Sequence, residues 1–136
     1  MKTLKILLIE DDEIERLKFG RVLSKNGYPH QLQEAINGEE AIQILETPSQ
    51  LPDLILLDLN MPKMNGLEFL TMLKKDERLK YIPVIILSTS NNHKDVKQCY
   101  EAGIAGYMIK PLKYEAYVDK MKALLNYWSL NELFTS

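Results

Sequence analysis

Apolar runs of strand length alternate along the chain with longer segments in which apolar residues recur every three or four positions. The strand-like runs are residues 4–9, 30–36, 54–57, 82–87 and 105–109. The run LILL at 54–57 has no polar residue, and the run at 82–87 is rich in β-branched residues. Both features are typical of strands buried on both faces, whereas the weak alternation of 30–36 predicts a peripheral strand.

The helical segments follow these strands one by one, at residues 11–27, 37–46, 66–76, 93–103 and 113 to about 128. Asn37 is a good N-cap with two acids after it, and Gly27 and Gly103 mark C-terminal stops. The spacing predicts core-facing residues on the first and last helices. They are Ile14, Leu17, Val22 and Leu23 on the first, and Val118, Met121 and Leu125 on the last. Tyr114, Tyr117, Leu124 and Trp128 are expected partly to the side.

Five strands that alternate with five helices predict right-handed βαβ units and one parallel sheet covered on both faces. The pattern allows either common strand order of a doubly wound sheet. In both orders ligands bind at the carboxyl ends of the strands, where the order reverses. Candidate chemistry is therefore expected just after residues 9, 57, 87 and 109.

Acids, hydroxyls and a lysine stand at these strand ends. They are Glu10, Asp11 and Asp12 after the first strand, Asp58 and Asn60 after the third, Ser88, Thr89 and Ser90 after the fourth, and Lys110 after the fifth. Two carboxylates about 4 Å apart repel by about 4 kcal/mol at an effective dielectric constant of 20. Such a cluster either takes up a proton or binds a cation, and oxygen ligands favour Mg²⁺.

Each of these residues also has an ordinary structural explanation. Asp12 could cap the first helix, with Glu15 completing a capping box. Ser88 could be a turn residue, and Lys110 could be solvated. Asp58 is the hardest to explain in this way, because a carboxylate that ends a buried strand needs compensation for its charge.

Length and charge narrow the classes of function. The 136 residues suit one domain, and a net charge of −2 gives no reason to expect nucleic acid as a partner. No apolar run approaches the roughly 18 residues of a membrane span. The single Cys99 cannot form an internal disulfide, so a cytoplasmic location is expected.

Four motifs together resemble the receiver domain of two-component response regulators, over residues 3–126. They are IEDD after the first strand, LLDLNMPKMNG after the third, PVIILST at the fourth and GYMIKP at the fifth. The resemblance implies a flavodoxin-like fold with strand order 2-1-3-4-5 flanked by five helices. The STSNN loop and the aromatic tail are similar to those of small regulators paired with phytochrome-type histidine kinases.

The resemblance implies that Asp58 accepts a phosphoryl group from a histidine kinase or a histidine phosphotransfer protein. Mg²⁺ would be bound directly by Asp12, through water by Asp11, and also by Asp58 and the backbone carbonyl of Asn60. The protein would not be an enzyme in the usual sense, because it would assist only its own phosphorylation and dephosphorylation.

The same resemblance assigns Lys110 and Ser88 to the phosphoryl oxygens. Ser88 and Tyr107 would move together on phosphorylation, although Tyr107 could equally be an ordinary packing residue at the sheet edge. Lys110–Pro111 matches a bond that is usually cis in this family.

A receiver domain at 1–126 and a C-terminal extension at 127–136 are expected. No DNA-binding or enzymatic domain follows in this sequence, so the output would come from docking to a downstream protein or from passing the phosphoryl group onward. A homodimer through the fourth helix, fifth strand and fifth helix is also predicted, with the apolar tail contributing. The alternative is that the tail folds back on its own domain.

Three rival functions stay open at this point. An aspartyl phosphatase of the haloacid-dehalogenase type would need an acid where Asn60 stands. A flavodoxin-like binding module would need a phosphate-binding loop, and neither GxGxxG nor GxxxxGK[ST] occurs. A receiver that acts without phosphorylation is disfavoured by the intact set of acids, hydroxyl and lysine.

Overall fold

The computed structural model describes residues 2–61 and 64–134. The five strands are β1 (Lys5–Ile9), β2 (Gln31–Ala35), β3 (Leu54–Leu57), β4 (Val84–Ser88) and β5 (Gly106–Ile109). The five helices are α1 (Glu13–Lys25), α2 (Gly38–Leu45), α3 (Gly66–Lys75), α4 (His93–Glu101) and α5 (Tyr114–Trp128). A short 3-10 helix, Pro48–Gln50, precedes β3 and was not predicted.

The strands form one parallel sheet in the order β2-β1-β3-β4-β5, which confirms the predicted fold. Asn37, Asn65 and Asn92 cap α2, α3 and α4, each with a side-chain oxygen that accepts a backbone N–H of the first turn. Asp12 caps α1 in the same way, whereas Lys113 gives α5 no side-chain cap. All five parallel strands end at the same edge of the sheet. That edge carries the candidate site.

Two apolar layers enclose the sheet. Alternation along β1 sends Leu7 and Ile9 to the layer shared with α2, α3 and α4, and sends Ile6 and Leu8 to the layer shared with α1 and α5. All four residues of β3 are fully buried. Burying each such side chain contributes about 1.5–3 kcal/mol, so the strand that precedes Asp58 is anchored firmly from both sides.

The apolar faces of α1 and α5 match the prediction only in part, because Val22, Leu23, Met121 and Leu125 are buried as predicted and the other predicted residues are not. On α1, Phe19, Val22 and Leu23 are buried, while Ile14 and Leu17 are 67% and 60% exposed. On α5, Tyr117 and Leu124 are buried beside Met121 and Leu125, and Val118 is only partly buried. Short-range spacing therefore identified part of each buried face and missed Phe19, Tyr117 and Leu124.

The chain after α5 folds back on its own domain. The helix continues unbroken across the predicted boundary at residue 126. Beyond it, Lys2 Nζ donates to the Asn131 carbonyl over 3.1 Å, and Leu133 packs against the α1–α5 layer. The Phe134 ring lies 4.7 Å from the ring of Tyr81. Among the described residues, no helix is long and apolar enough to span a membrane.

Candidate functional site

Sheet register places Glu10 beside Asp58. Ile9 pairs with Leu57 across β1 and β3, and Asp58 N–H donates to the Ile9 carbonyl over 3.0 Å. On the other side of β1, Glu10 N–H donates to the Ala35 carbonyl over 2.9 Å, so Glu10 extends the strand. The first residues beyond the two central strands are therefore both acids, and they are neighbours.

Carboxylate oxygens of Glu10, Asp11 and Asp58 lie within 4.8 Å of one another. Glu10 is buried, whereas Asp11 is exposed and Asp58 is partly buried. Burial, followed by the charge of Glu10, raises the pKa of Asp58 from 3.8 to about 7, although Lys110 opposes the shift. Three converging carboxylates are oxygen ligands of the kind that a hard divalent cation prefers, and a cation would relieve their repulsion.

Asp12 does not join this cluster. Its side chain caps α1 and accepts the N–H groups of Ile14 and Glu15 over 2.8 and 3.4 Å. Glu10 stands in the place predicted for one of the acidic pair, because the parallel register brings it alongside Asp58, while Asp12 lies two residues farther on and begins the helix. The capping explanation of Asp12 describes its position correctly.

Lys110 closes the site on the side of β5. Its Nζ lies 2.6 Å from Glu10 Oε1 and 3.9 Å from Glu15 Oε2. Burial alone would lower the pKa of Lys110, but the hydrogen bond and charge of Glu10 outweigh burial and raise it, so the ammonium stays charged. The bond to Pro111 is not the expected cis peptide, since no described peptide bond is cis.

Ser88 and Tyr107 meet through one residue of the β4–α4 loop. Ser88 is buried, and its Oγ accepts the N–H of Ser90 over 3.0 Å, which leaves the hydroxyl proton for another acceptor. The Tyr107 hydroxyl donates to the Ser90 carbonyl over 2.8 Å. Ser90 Oγ in turn donates to Asp95 of α4 over 2.9 Å. Ser90 thus contacts the site, β5 and α4 at once.

The turn after Asp58 approaches α3 closely. Asn60 is exposed, and its N–H donates to Asp58 Oδ1 over 3.4 Å. Gly66 N–H donates to the Leu59 carbonyl over 2.9 Å, and a Cβ at Gly66 would lie 2.7 Å from the Asp58 carbonyl. Residues 62 and 63 of the LLDLNMPKMNG motif lie outside the described residues.

Residues 6–122 match the family described as response regulator receiver domain. The chain belongs to this family. Receiver domains are phosphoacceptors of two-component signalling rather than conventional enzymes, they bind a divalent metal, and they interact with histidine kinases and downstream targets.

The proteins similar to this receiver domain include response regulators, one of them a phytochrome response regulator. The response regulator Rcp1 of Synechocystis is 33% identical over an alignment of 128 residues, and the match covers 90% of this chain and 87% of Rcp1. The structure of the phosphorylated cyanobacterial phytochrome response regulator RcpA has 33% identity and a TM-score of 0.89, covering 97% of this chain and 99% of RcpA. The Mn²⁺-bound form of Rcp1 has 32% identity and a TM-score of 0.85, covering 95% and 96%.

The receiver fold gathers most of the predicted site residues. Asp11 and Asp58 meet in one cluster, Lys110 is joined to it through Glu10, and Ser88 and Tyr107 are linked through Ser90. The predicted set of metal ligands did not include Glu10, which lies in the acidic cluster, and the sequence prediction did not identify Arg16, which binds the loop that carries the acids. Register could have shown the first of these, because Glu10 follows β1 as directly as Asp58 follows β3.

Proposed function

We propose that this receiver domain takes a phosphoryl group onto Asp58 from a phosphohistidine, on a histidine kinase or a histidine phosphotransfer protein, in a Mg²⁺-dependent reaction. The observation that carries the proposal is the convergence of Glu10, Asp11 and Lys110 on a carboxylate that ends a buried central strand. Phosphoryl transfer needs positioning and charge neutralisation rather than covalent help from the protein, and this arrangement supplies both.

In the proposed step an Asp58 carboxylate oxygen attacks phosphorus, and an O–P bond forms as the P–N bond of the phosphohistidine breaks. The departing imidazole takes the electron pair of that bond and then a proton. Hydrolysis later replaces the aspartyl bond by a bond to water and releases phosphate. Asp58 must be ionised to attack, so its raised pKa in the metal-free protein favours a reaction that begins with cation binding.

Glu10, Asp11 and Asp58 are the proposed cation ligands, with the Asn60 carbonyl as a fourth candidate and Asp12 as the N-cap of α1. The bound ion would neutralise the acids and withdraw charge from the phosphoryl oxygens. Support comes from the chemistry of three converging carboxylates and from the Mn²⁺-bound Rcp1 neighbour. Mg²⁺ is proposed because it is the usual partner of carboxylates and phosphate oxygens.

Lys110 and Ser88 are the proposed donors to the transferred group. The Lys110 ammonium lies beside the acids. The backbone N–H of Lys110 donates to the Ser88 carbonyl over 2.8 Å, so the two residues are neighbours across β4 and β5. The Ser88 hydroxyl proton is free to turn toward a phosphoryl oxygen. Its movement would disturb the bond from Ser90 and, through Ser90, the bond from Tyr107.

A protein donor is supported by exposed apolar side chains around the site. Ile14 and Leu17 on α1 are mostly exposed, and Leu112 is 99% exposed two residues after Lys110. Large exposed apolar side chains on the segments that follow the site residues are of the kind that protein interfaces use. Ile14→Ser with Leu17→Ser should slow transfer from a phosphohistidine protein and leave the reaction with acetyl phosphate unchanged; equal slowing with both donors would contradict this surface.

A homodimer through α4, β5 and α5 stays a prediction. Support comes from an apolar groove between β5 and α5, lined by Met108, Leu124 and Tyr127, and from the exposure of Tyr100, Tyr127 and Leu130. Residues 131–134 contact their own domain, so they contribute less to such an interface than the sequence suggested. Sedimentation with and without a phosphoryl mimic tests it, and a monomer at high micromolar concentration in both states would remove it.

The proposed function is tested by incubating the protein with acetyl phosphate and Mg²⁺ and weighing the intact chain. We expect a mass increase of one phosphoryl group in the wild type, none with chelator, and none in Asp58→Asn. Asp12→Asn is the informative comparison, because it removes the charge of Asp12 while keeping an oxygen that can cap α1, and it should still permit phosphorylation. Comparable phosphorylation of Asp58→Asn would contradict the proposal.

A further inference from the structure

Arg16 lies in the first turn of α1, where the helix dipole disfavours a positive charge. It is the fourth residue of α1, close to the positive end of the helix dipole, where acids are preferred and a guanidinium is repelled. Both other charged residues of this first turn, Glu13 and Glu15, are acids. The guanidinium therefore needs some local interaction to compensate for its position.

Its side chain turns back over the loop that enters the helix. Arg16 Nη1 donates to the Glu10 carbonyl over 2.9 Å and to the Asp11 carbonyl over 3.0 Å. The backbone N–H of Arg16 donates to the Asp12 carbonyl over 3.1 Å. One residue thus binds three consecutive carbonyls, and the first two belong to acids of the cluster around Asp58.

We propose that Arg16 is a positioning residue for phosphorylation: by fixing the Glu10 and Asp11 peptides it holds their carboxylates where a divalent cation binds them. The inference rests on the proposed function. Outside regular strand pairing, these carbonyls need another donor to stay in one orientation, and the Arg16 side chain supplies it. Donors of this kind behind metal ligands often change metal affinity by about 10- to 100-fold when they are removed.

The sign of the effect separates positioning from plain electrostatics. Removing a positive charge near three carboxylates should by itself strengthen the binding of a cation. Loss of positioning should weaken it. Arg16→Lys keeps the charge and loses the guanidinium geometry, whereas Arg16→Gln loses both. Arg21, an exposed arginine of the same helix, provides the matched controls Arg21→Lys and Arg21→Gln.

The experiment measures the Mg²⁺ dissociation constant of each full-length variant by calorimetry. If Arg16 positions the acids, the Mg²⁺ dissociation constant of Arg16→Lys should be more than about fivefold higher than that of Arg21→Lys. A smaller ratio between these two dissociation constants would overturn the proposal. If Arg16→Gln does not fold, Arg16→Lys decides the matter alone.

Two further measurements exclude a merely structural role. In the metal-free Arg16→Lys variant, backbone amide order parameters should fall at Asp11 and Asp12 and stay unchanged in the second half of α1. With acetyl phosphate as donor, saturating Mg²⁺ should restore the phosphorylation rate to within about twofold of wild type. Disorder that spreads along the whole helix, or a rate that saturating Mg²⁺ leaves low, would overturn the proposal.

The outcome also separates this proposal from the proposed function. If wild-type protein binds no Mg²⁺ and gains no phosphoryl group, the proposed function itself fails. If wild-type protein does both, and the Arg16 variants behave as the Arg21 variants do, only the role of Arg16 is wrong.

Discussion

Asp58 lies where the buried strand β3 ends and the cluster of ionisable side chains begins. The four residues before it are fully buried, and the two groups with which it interacts most strongly, Glu10 and Lys110, have opposite charges. The net result is a carboxyl whose pKa lies near neutrality, at about 7. Small changes in local charge, such as cation binding, therefore change the ionisation of the residue proposed to react.

This raised pKa predicts that metal-free stability falls as the pH rises. The folded protein holds the proton of Asp58 more tightly than the unfolded chain does. The free energy of unfolding therefore falls as the pH increases from about 4 to about 7. Asp58→Asn should remove this loss. Thermal unfolding in chelator should show the variant melting a few degrees above wild type at pH 8 and about level with it near pH 4.

The control for that measurement is Asp119→Asn, which neutralises an exposed acid on α5. Its unfolding midpoint should equal that of wild type at both pH 4 and pH 8. A difference between Asp58→Asn and wild type that is the same at pH 4 and pH 8 would show that desolvation of Asp58 does not affect stability.

Single residues also show where sequence reasoning was sufficient. Asp58 and Lys110 could be predicted because each ends a strand and each is unusual there. The choice between Glu10 and Asp12 depended on strand register, which the sequence does not state directly. Arg16 could not be predicted, because its role depends on a side chain that folds back over six residues.

Among the elements, the turn from β3 into α3 has the tightest fit beside the site. A Cβ at Gly66 would lie 2.7 Å from the Asp58 carbonyl and 2.8 Å from Leu59 Cα. Backbone atoms cannot move aside as a flexible side chain can. The turn therefore fixes where the β3 strand delivers its carboxylate.

Gly66→Ala should destabilise the protein by about 1–3 kcal/mol and slow phosphorylation, because the turn must open to admit the methyl group. Gly20→Ala is the matched control. Its Cβ would meet only Leu32 Cδ2, at 4.0 Å, and an alanine in the interior of α1 should stabilise by about 0.5–1 kcal/mol. Denaturant unfolding measures both, and equal stability changes of the same sign would contradict this account of the turn.

Element boundaries were predicted well because local signals agree with the fold. Asn37 caps α2 as expected, and glycines with positive φ, Gly27 and Gly103, follow α1 and α4. Which face of a helix is buried was predicted less well. Ile14 and Leu17 have core-like spacing, yet they lie outside because Phe19, Val22 and Leu23 already fill the layer beneath α1.

At the scale of the molecule, the candidate site and the C-terminal tail lie at opposite ends of the sheet. The site occupies the carboxyl ends of the strands, whereas the tail contacts Lys2, near the start of β1, and Tyr81, which precedes β4. We therefore expect that changes in the tail alter the stability of the protein and leave the phosphorylation of Asp58 unchanged.

Leu133→Ser should lower the unfolding midpoint by a few degrees, because Leu133 packs against the α1–α5 layer. Leu130→Ser is the control, since Leu130 is 82% exposed. Phosphorylation by acetyl phosphate should be unchanged in both. Equal melting of the two variants would show that the tail contributes nothing to the fold.

The central claim is that Asp58 is the phosphoacceptor, and locating the acyl phosphate tests it most directly. Protein treated with acetyl phosphate and Mg²⁺ is reduced with borohydride, which converts a phosphorylated aspartate to homoserine, and its peptides are sequenced by mass spectrometry. Homoserine is predicted at position 58 and nowhere else, and none without Mg²⁺. Homoserine at Asp11 or Asp12 instead, or a stable phosphoryl group on another residue with position 58 unmodified, would contradict the claim.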